Sequence, residues 1–445
     1  MRTGRLITAV TVAIVVAGLA GSAVSGAATT GRAAEVSGGG PPGGGCQPAW
    51  HVVAAPRPQD AIPPVASGSE GQLVSVNAIS RDHVLFSGYQ NYNYSAGGIG
   101  QPWTLNWNGR SVAQTAPVPE LPFTEPSFTD LAYDPSSYDS AADGWMLVDP
   151  LYANNYIEPD VSFAERWHDG QWTMTPMAVS PDVRAKGIWL QDVVARSPSD
   201  AWAAGALYAV GPGNLFGADP VGALIEHWNG SQWNIVPNPA GGQAGGVLHG
   251  LTVVSPDDIW AVGQRTDGTG GTLLPLIEHW DGTAWRLITA PAGRPSSWLQ
   301  AVSADGARDA WAVGYQAAAG HPGTYVPLIE HWDGTAWSAA TLPDGGAGLS
   351  GLASVYTASA GDVWATFGGS QYLEGSAADG QTQAFLHWDG RRWTTVPEPG
   401  PREFGVSYAY HGIGGTGPDD VWAAGEADVS YPGYIAPLIA HLSCG

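Results

Sequence analysis

LIEHWDGTAW spans Leu276–Trp285 and returns letter for letter at Leu328–Trp337, 52 residues further on. Its apolar run, its Asp-Gly pair and its second tryptophan read as a strand, a tight turn and a returning strand, because Asp and Gly tolerate the positive φ of short hairpins. Relatives of the hairpin are LNWNG (105–109), AERWHDGQW (164–172), LIEHWNGSQW (224–233) and FLHWDGRRW (385–393). β-Branched residues and a proline follow the outgoing tryptophan, as in WNIVPNP and WTTVPEP, and end the unit.

Working outward, a second strand precedes each hairpin. It reads DAWAAG, DIWAVG, DAWAVG, DVWATF and DVWAAG, with Trp202, Trp260, Trp311, Trp364 and Trp422 at spacings of 51 to 58 residues. DGWMLV around Trp145 is an earlier version, and DHVLFSG (82–88) a looser one. Before these stand seven short openings: LVSV (73–76), FTDL (128–131), LQDV (190–193), LHGL (248–251), LQAV (299–302), LSGL (349–352) and YHGI (410–413). A fixed period of this kind outranks local propensity in deciding a fold. Four antiparallel strands with two tryptophans cannot bury both faces alone, so the units must stack. Closing them into a ring predicts an all-β, seven-bladed β-propeller.

The ring is expected to close through the chain termini. The last unit stops at LIAHLSCG (438–445) one strand short, while AWHVVAAPRP (49–58) places Trp50 six residues before Pro56, as Trp285 stands before Pro291. The N-terminal strand is therefore predicted to complete the last blade. Cys444 ends one of the two strands and Cys46 precedes the other, so the chain's 2 cysteines are expected to pair as a disulfide in an oxidising compartment.

Residues 1–27 read as a signal peptide: Arg2 and Arg5, then an apolar run, then small residues. Residues 28–45, with EVSGGGPPGGG, read as a flexible linker, and 46–445 as the propeller. No second long apolar stretch follows, so a secreted, extracellular monomer without stable membrane insertion is expected. With 62 Gly and 35 Pro in 445 residues there is little room for long helices. The net charge of −23 and the single lysine, Lys186, argue against nucleic acid as a partner.

The recurrent unit, DIWAVG followed by LIEHWDGTAW, resembles secreted bacterial β-propellers of the kelch and galactose-oxidase-like kind over nearly all of 46–445. That resemblance implies the fold and no particular activity, because propellers host oxidases, hydrolases, lyases, lectins and scaffolds. Galactose oxidase holds copper with Tyr and His beside a Cys-crosslinked Tyr, whereas both cysteines here are assigned to closure. WDGTAW does not keep the spacing of the sialidase Asp-box. No catalytic residue, cofactor or metal is carried over.

His227, His279, His331, His387 and His441 recur at one blade position, each with an upstream aspartate: Asp200, Asp258, Asp309, Asp362 and Asp420. Arg166 takes the histidine's place opposite Asp143, which a metal ligand would not allow, so these are expected to be structural hydrogen-bonded pairs. The recurring Glu165, Glu226, Glu278 and Glu330 are read the same way.

Function should sit where the blades differ. The long connections between second and third strands share one rim and carry Tyr89, Tyr92, Tyr94, Trp103, Tyr152, Tyr156, Tyr431 and Tyr434 as candidate stacking platforms for sugar rings or extended peptides. Tyr208, Tyr315, Tyr325 and Tyr372 belong to the same group. A second candidate is the channel mouth, where the second letters of the openings include Gln191, His249, Gln300, Ser350 and His411, with Asp130 and Asp192 alongside. No nucleophile, base and orienter form a set. The favoured reading is a non-catalytic recognition or scaffold module for glycan or peptide. The alternative is a carbohydrate-active hydrolase or lyase at the channel mouth.

Overall fold

A computed structural model describes residues 48–56, 70–91, 100–115, 130–132, 136–140, 142–151, 163–178, 186–209, 220–268, 272–291, 296–321, 324–342, 349–367, 384–401, 406–429 and 434–444. The expected signal segment and linker, and Cys46, lie outside them. Residues 47–445 make one compact unit. Its strands form seven antiparallel sheets, the blades of a β-propeller, and no helix occurs among the described residues.

Blade four shows the plan. Its innermost strand, Val247–Ser255, is followed outward by Asp258–Thr266, Leu273–Trp280 and the short edge Trp285–Leu287. Blades one, three, five and six repeat it from Glu70, Lys186, Ser297 and Leu352 onward. In blade seven the order is Val406–Gly417, Asp420–Val429, Tyr434–Ser443 and, outermost, Ala49–Val53 from the other end of the chain. Trp50 pairs with Leu442 as Trp233 pairs with Trp228, so the predicted closure by the N-terminal strand is present.

Two openings are not where the L-x-x-L pattern placed them. In blade six Val355, not Leu352, faces Ala365, so the opening is LASV (352–355) and Ser350 falls before the strand. In blade two Ser136 faces Met146, while Leu131 faces Pro150, and the opening lies five residues later than FTDL. Register is dictated by the second-strand residue after each tryptophan, which sequence spacing alone does not locate.

The hairpin turns also differ from expectation in detail. Only in blade two do both residues, Asp169 and Gly170, adopt positive φ, at 49° and 80°. Elsewhere the glycine alone does, as at Gly282 with φ of 83°, and the aspartate acts through its side chain. Asp281 Oδ1 accepts the amides of Thr283 at 3.0 Å and Ala284 at 2.9 Å, and Asp333 repeats this with Thr335 and Ala336. Such side-chain turns explain why Asn and Asp interchange there.

Tryptophans lock neighbouring blades together. Trp202 of blade three sits 5.1 Å from Trp280 and 5.7 Å from Trp285 of blade four, ring centre to ring centre. Trp260 meets Trp332 and Trp337 at 4.9 and 5.3 Å, Trp311 meets Trp388 and Trp393 at 5.2 Å each, and Trp145 meets Trp228 and Trp233 at 4.9 and 5.0 Å. Around the closure, Trp364 meets Trp50 at 5.4 Å and Trp422 meets Trp107 at 5.2 Å. Tilted and edge-on rings of this kind add attraction beyond the area they bury.

Candidate binding site at the channel mouth

Each complete innermost strand carries a bulge directly after the first letter of its opening, seen as register shifts at Leu73/Ser75, Leu190/Asp192, Leu248/Gly250, Leu299/Ala301, Leu352/Ser354 and Tyr410/Gly412. The residue skipped is left out of the ladder and re-aimed. Those residues are Val74, Gln191, His249, Gln300, Ala353 and His411, and all six line one cavity of about 310 Å³ at the centre of the ring.

In five blades a glycine of the second strand faces the bulge, and in blade six Phe367 does. A Cβ on Gly263 would stand 2.0 Å from the Val247 carbonyl oxygen, and one on Gly314 2.1 Å from that of Trp298. At these two positions the strands approach too closely to leave room for a side chain.

His411 is held in a network. The Gln72 side-chain amide donates to His411 Nε2 at 3.0 Å, Tyr89 donates its hydroxyl to Gln72 Oε1, and Glu426 Oε1 lies 3.6 Å from the same imidazole nitrogen. Burial lowers the pKa of His249 to about 4, only partly offset by Gln264, so this imidazole is neutral at pH 7. Asp192 is raised by burial to about 7 against two amides that oppose the shift: Oδ1 accepts from Val193 at 2.8 Å and Oδ2 from Leu251 of the next blade at 2.7 Å. Asp192 thus ties blade three to blade four with both oxygens engaged.

Of the residues expected to bind ligand, Gln191, His249, Gln300 and His411 converge on the channel, and Tyr89 joins them through Gln72. Trp103 does not: it is 1% exposed and packs with Phe86, Leu105 and Trp422 in the core, because the third strand of blade one already begins at Gly100. Tyr315 is also buried, stacked on Trp298 at 4.8 Å and touching the channel wall. Tyr92, Tyr94, Tyr152, Tyr156, Tyr372 and Tyr431 lie outside the described residues, and Tyr434 opens the third strand of blade seven opposite Val429. Gln72 and Glu426 were not anticipated, nor was Trp189, which also lines the cavity. Gln72 precedes its opening by one residue, and no repeat marks it.

The recurring polar residues are architectural in their geometry. Histidine Nε2 to aspartate Oδ1 distances are 2.9 Å for His227 and Asp200, 2.8 Å for His279 and Asp258, 2.6 Å for His331 and Asp309, 3.3 Å for His387 and Asp362, and 2.7 Å for His441 and Asp420. Each imidazole also lies against its blade's second-strand tryptophan, with ring centres 3.6 to 4.3 Å apart. Arg166 donates to Asp143 at 2.8 Å and lies over Trp145 and Trp228, taking over both contacts. No group of three His, Cys, Asp or Glu among the described residues is placed to hold a metal ion. Two of the buried glutamates bridge blades, Glu226 accepting the Ala178 amide at 2.8 Å and Glu278 the Ala240 amide at 2.7 Å, whereas, contrary to expectation, neither oxygen of Glu165 has a hydrogen-bond partner among the described residues.

No family model matches the chain, and no curated protein matches it. Solved structures similar to it are other propellers. YCF48 bound to D1 peptide aligns with a TM-score of 0.48 at 13% identity, covering 89% of this chain and 97% of that one. The β-propeller domain of the Trilobed protease from Pyrococcus furiosus gives 0.46 at 10% identity, over 84% and 95%. The α-L-arabinofuranosidase Arb93A from Fusarium graminearum gives 0.43 at 11%, over 69% and 92%. These likenesses show the propeller fold and no particular group within it. No described helix is long and apolar enough to cross a membrane.

Proposed function

We propose that the protein is a secreted recognition propeller that holds an uncharged, hydrogen-bonding ligand, a glycan or a peptide segment, at the mouth of its central channel. The observation that carries this reading is the convergence of two glutamines and two histidines, Gln191, Gln300, His249 and His411, from four blades onto one cavity through a shared bulge. Amides and the neutral imidazole of His249 both donate and accept, which suits hydroxyls and peptide groups. Glycoside hydrolysis instead calls on a pair of carboxyl groups roughly 5–10 Å apart. Among the described residues lining the cavity, Asp192 is the only carboxylate, and both its oxygens are bonded to backbone amides.

The test is a screen of mature protein against arrays of glycans, cell-wall polymers and peptides, with analysis of products from every hit. Binding without products, weakened by Gln300→Ala and His411→Ala together, is expected. Turnover of a bound glycan would replace this reading with the hydrolase or lyase alternative. Exclusive recovery of the protein inside the cell would refute secretion.

A further inference from the structure

The tryptophan lock is missing at one interface. In blade one, Leu85 pairs with Asn106 where Trp202, Trp260, Trp311, Trp364 and Trp422 pair with histidine, and His83 opens the strand where the other blades begin with aspartate. The trio Asp, His and Trp is thus replaced by His83, Asn106 and Leu85. Blade two nevertheless keeps the two tryptophans that receive the lock. Trp167 and Trp172 stand 5.4 Å apart at 55°, close to the 6.0 Å and 49° of Trp280 and Trp285, which enclose Trp202.

The space a tryptophan fills elsewhere is here a cavity of about 260 Å³, with Leu85, His83 and Asn106 on one wall and Trp167, Trp172 and Tyr138 on the other. Exposed Asn108 borders it and marks the way in. Apolar cavities of about 150 Å³ take up benzene. Two of its lining residues also carry buried polar atoms without a hydrogen-bond partner, His83 Nε2 and Asn106 Oδ1. In blades three, six and seven an aspartate oxygen accepts the indole N–H of the second-strand tryptophan, at 3.1, 2.7 and 3.0 Å. Among the described residues, a receptacle for an indole-like ring with an unused acceptor is therefore left open between blades one and two.

We propose that this cavity binds a planar aromatic group bearing an N–H, of the indole type, in the place that a tryptophan side chain occupies at the other blade interfaces. The group stacks between Trp167 and Trp172 and donates its N–H to Asn106 Oδ1 or His83 Nε2. It belongs either to a free small molecule or to a tryptophan side chain of a peptide. The inference is independent of the channel-mouth reading.

The experiment is isothermal titration of the full chain with indole, N-methylindole, N-acetyltryptophanamide and a short tryptophan-containing peptide. One saturable site is expected for indole, with N-methylindole weaker by about tenfold because it has no N–H to donate. Leu85→Trp fills the cavity with the residue the other blades use and should abolish this site while raising the melting temperature. Should that variant fail to fold, Leu85→Phe provides the same test with a smaller ring. Tighter binding of the peptide than of indole assigns the ligand to a protein partner, and the reverse assigns it to a small molecule. Absence of saturable binding by every probe, or unchanged indole affinity in the Leu85 variants, overturns the proposal.

Discussion

The indole of Trp50 meets that of Trp364 edge-on, ring centres 5.4 Å apart at an interplanar angle of 79°. The two residues are far apart in the sequence, and Trp50 also lies 4.5 Å from Phe385. Its Nε1 is buried without a hydrogen bond, so packing is what the side chain contributes. Trp50→Ala should therefore destabilise by about 3–5 kcal/mol, as core truncations of this size do. A loss below about 1 kcal/mol in denaturant unfolding would show that the closing strand is dispensable.

The expected pairing of Cys46 with Cys444 is testable without any structure. Non-reducing peptide mapping of secreted material should recover one peptide pair joining the two termini. Cys46→Ser should lower stability by about 2–4 kcal/mol and leave the circular dichroism spectrum unchanged. Free thiols at both positions would refute the pairing.

Removing one member of an Asp–His pair strands the other. His279 bonds Asp258 at 2.8 Å and packs on Trp260, so His279→Ala should cost about 1–3 kcal/mol, most of it from the orphaned carboxylate. Metal analysis of the native protein is expected to find no stoichiometric zinc or copper bound at these histidines. Metal lost on mutating them would contradict the structural role.

Burial raises the bridging glutamates Glu226 and Glu278 to about 8 and about 7, and the unpartnered Glu165 to about 7, against an ordinary value of 4.5. Below that ordinary value these groups are protonated in both folded and unfolded chains, and their full stabilising contribution is present. As pH rises from about 4.5 the unfolded chain releases protons that the folded chain still holds, so stability falls until the pH has passed 7 to 8, where the folded chain ionises as well. Melting temperatures should thus be highest in mild acid, decline toward about pH 8 and level off above it. Glu278→Gln keeps an acceptor for the Ala240 amide and removes the ionisation, so it should flatten the profile and gain about 1 kcal/mol near pH 8. An unchanged profile in this variant would show that Glu278 does not drive the effect.

The glycine of WAVG gives the sharpest steric prediction. Gly263→Ala puts a methyl 2.0 Å from a backbone oxygen, which must shift to admit it, and should destabilise by at least about 1–3 kcal/mol. Gly242→Ala, with nothing within 4 Å of its Cβ, is the control expected to be near neutral. Equal effects would remove the steric explanation.

The fold was legible because its determinants repeat: two tryptophans, a turn and a close-packed glycine recur in blade after blade, so that even the strand borrowed from the N-terminus announces itself through Trp50. Blades two and six were misaligned because L-x-x-L is a weak pattern that also occurs by chance beside the true opening, whereas pairing to the second strand fixes register. The channel was half legible. Gln191, His249, Gln300 and His411 share a repeat position, but Gln72 and Glu426 belong to no repeat and meet His411 only through folding. Trp103 misled because an aromatic at the end of a tyrosine-rich connection looks like part of the loop, although the strand that buries it starts three residues earlier. The gap left by Leu85 was equally hidden, since DHVLFSG shows a degenerate motif without showing what its neighbour retains.

A last blade shared between the two ends of the chain also sets the order of events in folding. Strand Ala49–Val53 is made first and finds its partner, Tyr434–Ser443, only when almost every other residue has been synthesised. Contacts of such long sequence separation form late and slowly, because the loop they close must be ordered first. Six blades have adjacent partners and can assemble in sequence as they emerge. The seventh is a checkpoint: a chain truncated anywhere before its final strand leaves Trp50 and the face of blade six around Trp364 uncovered, and incomplete molecules carry a sticky apolar mark that complete ones lack.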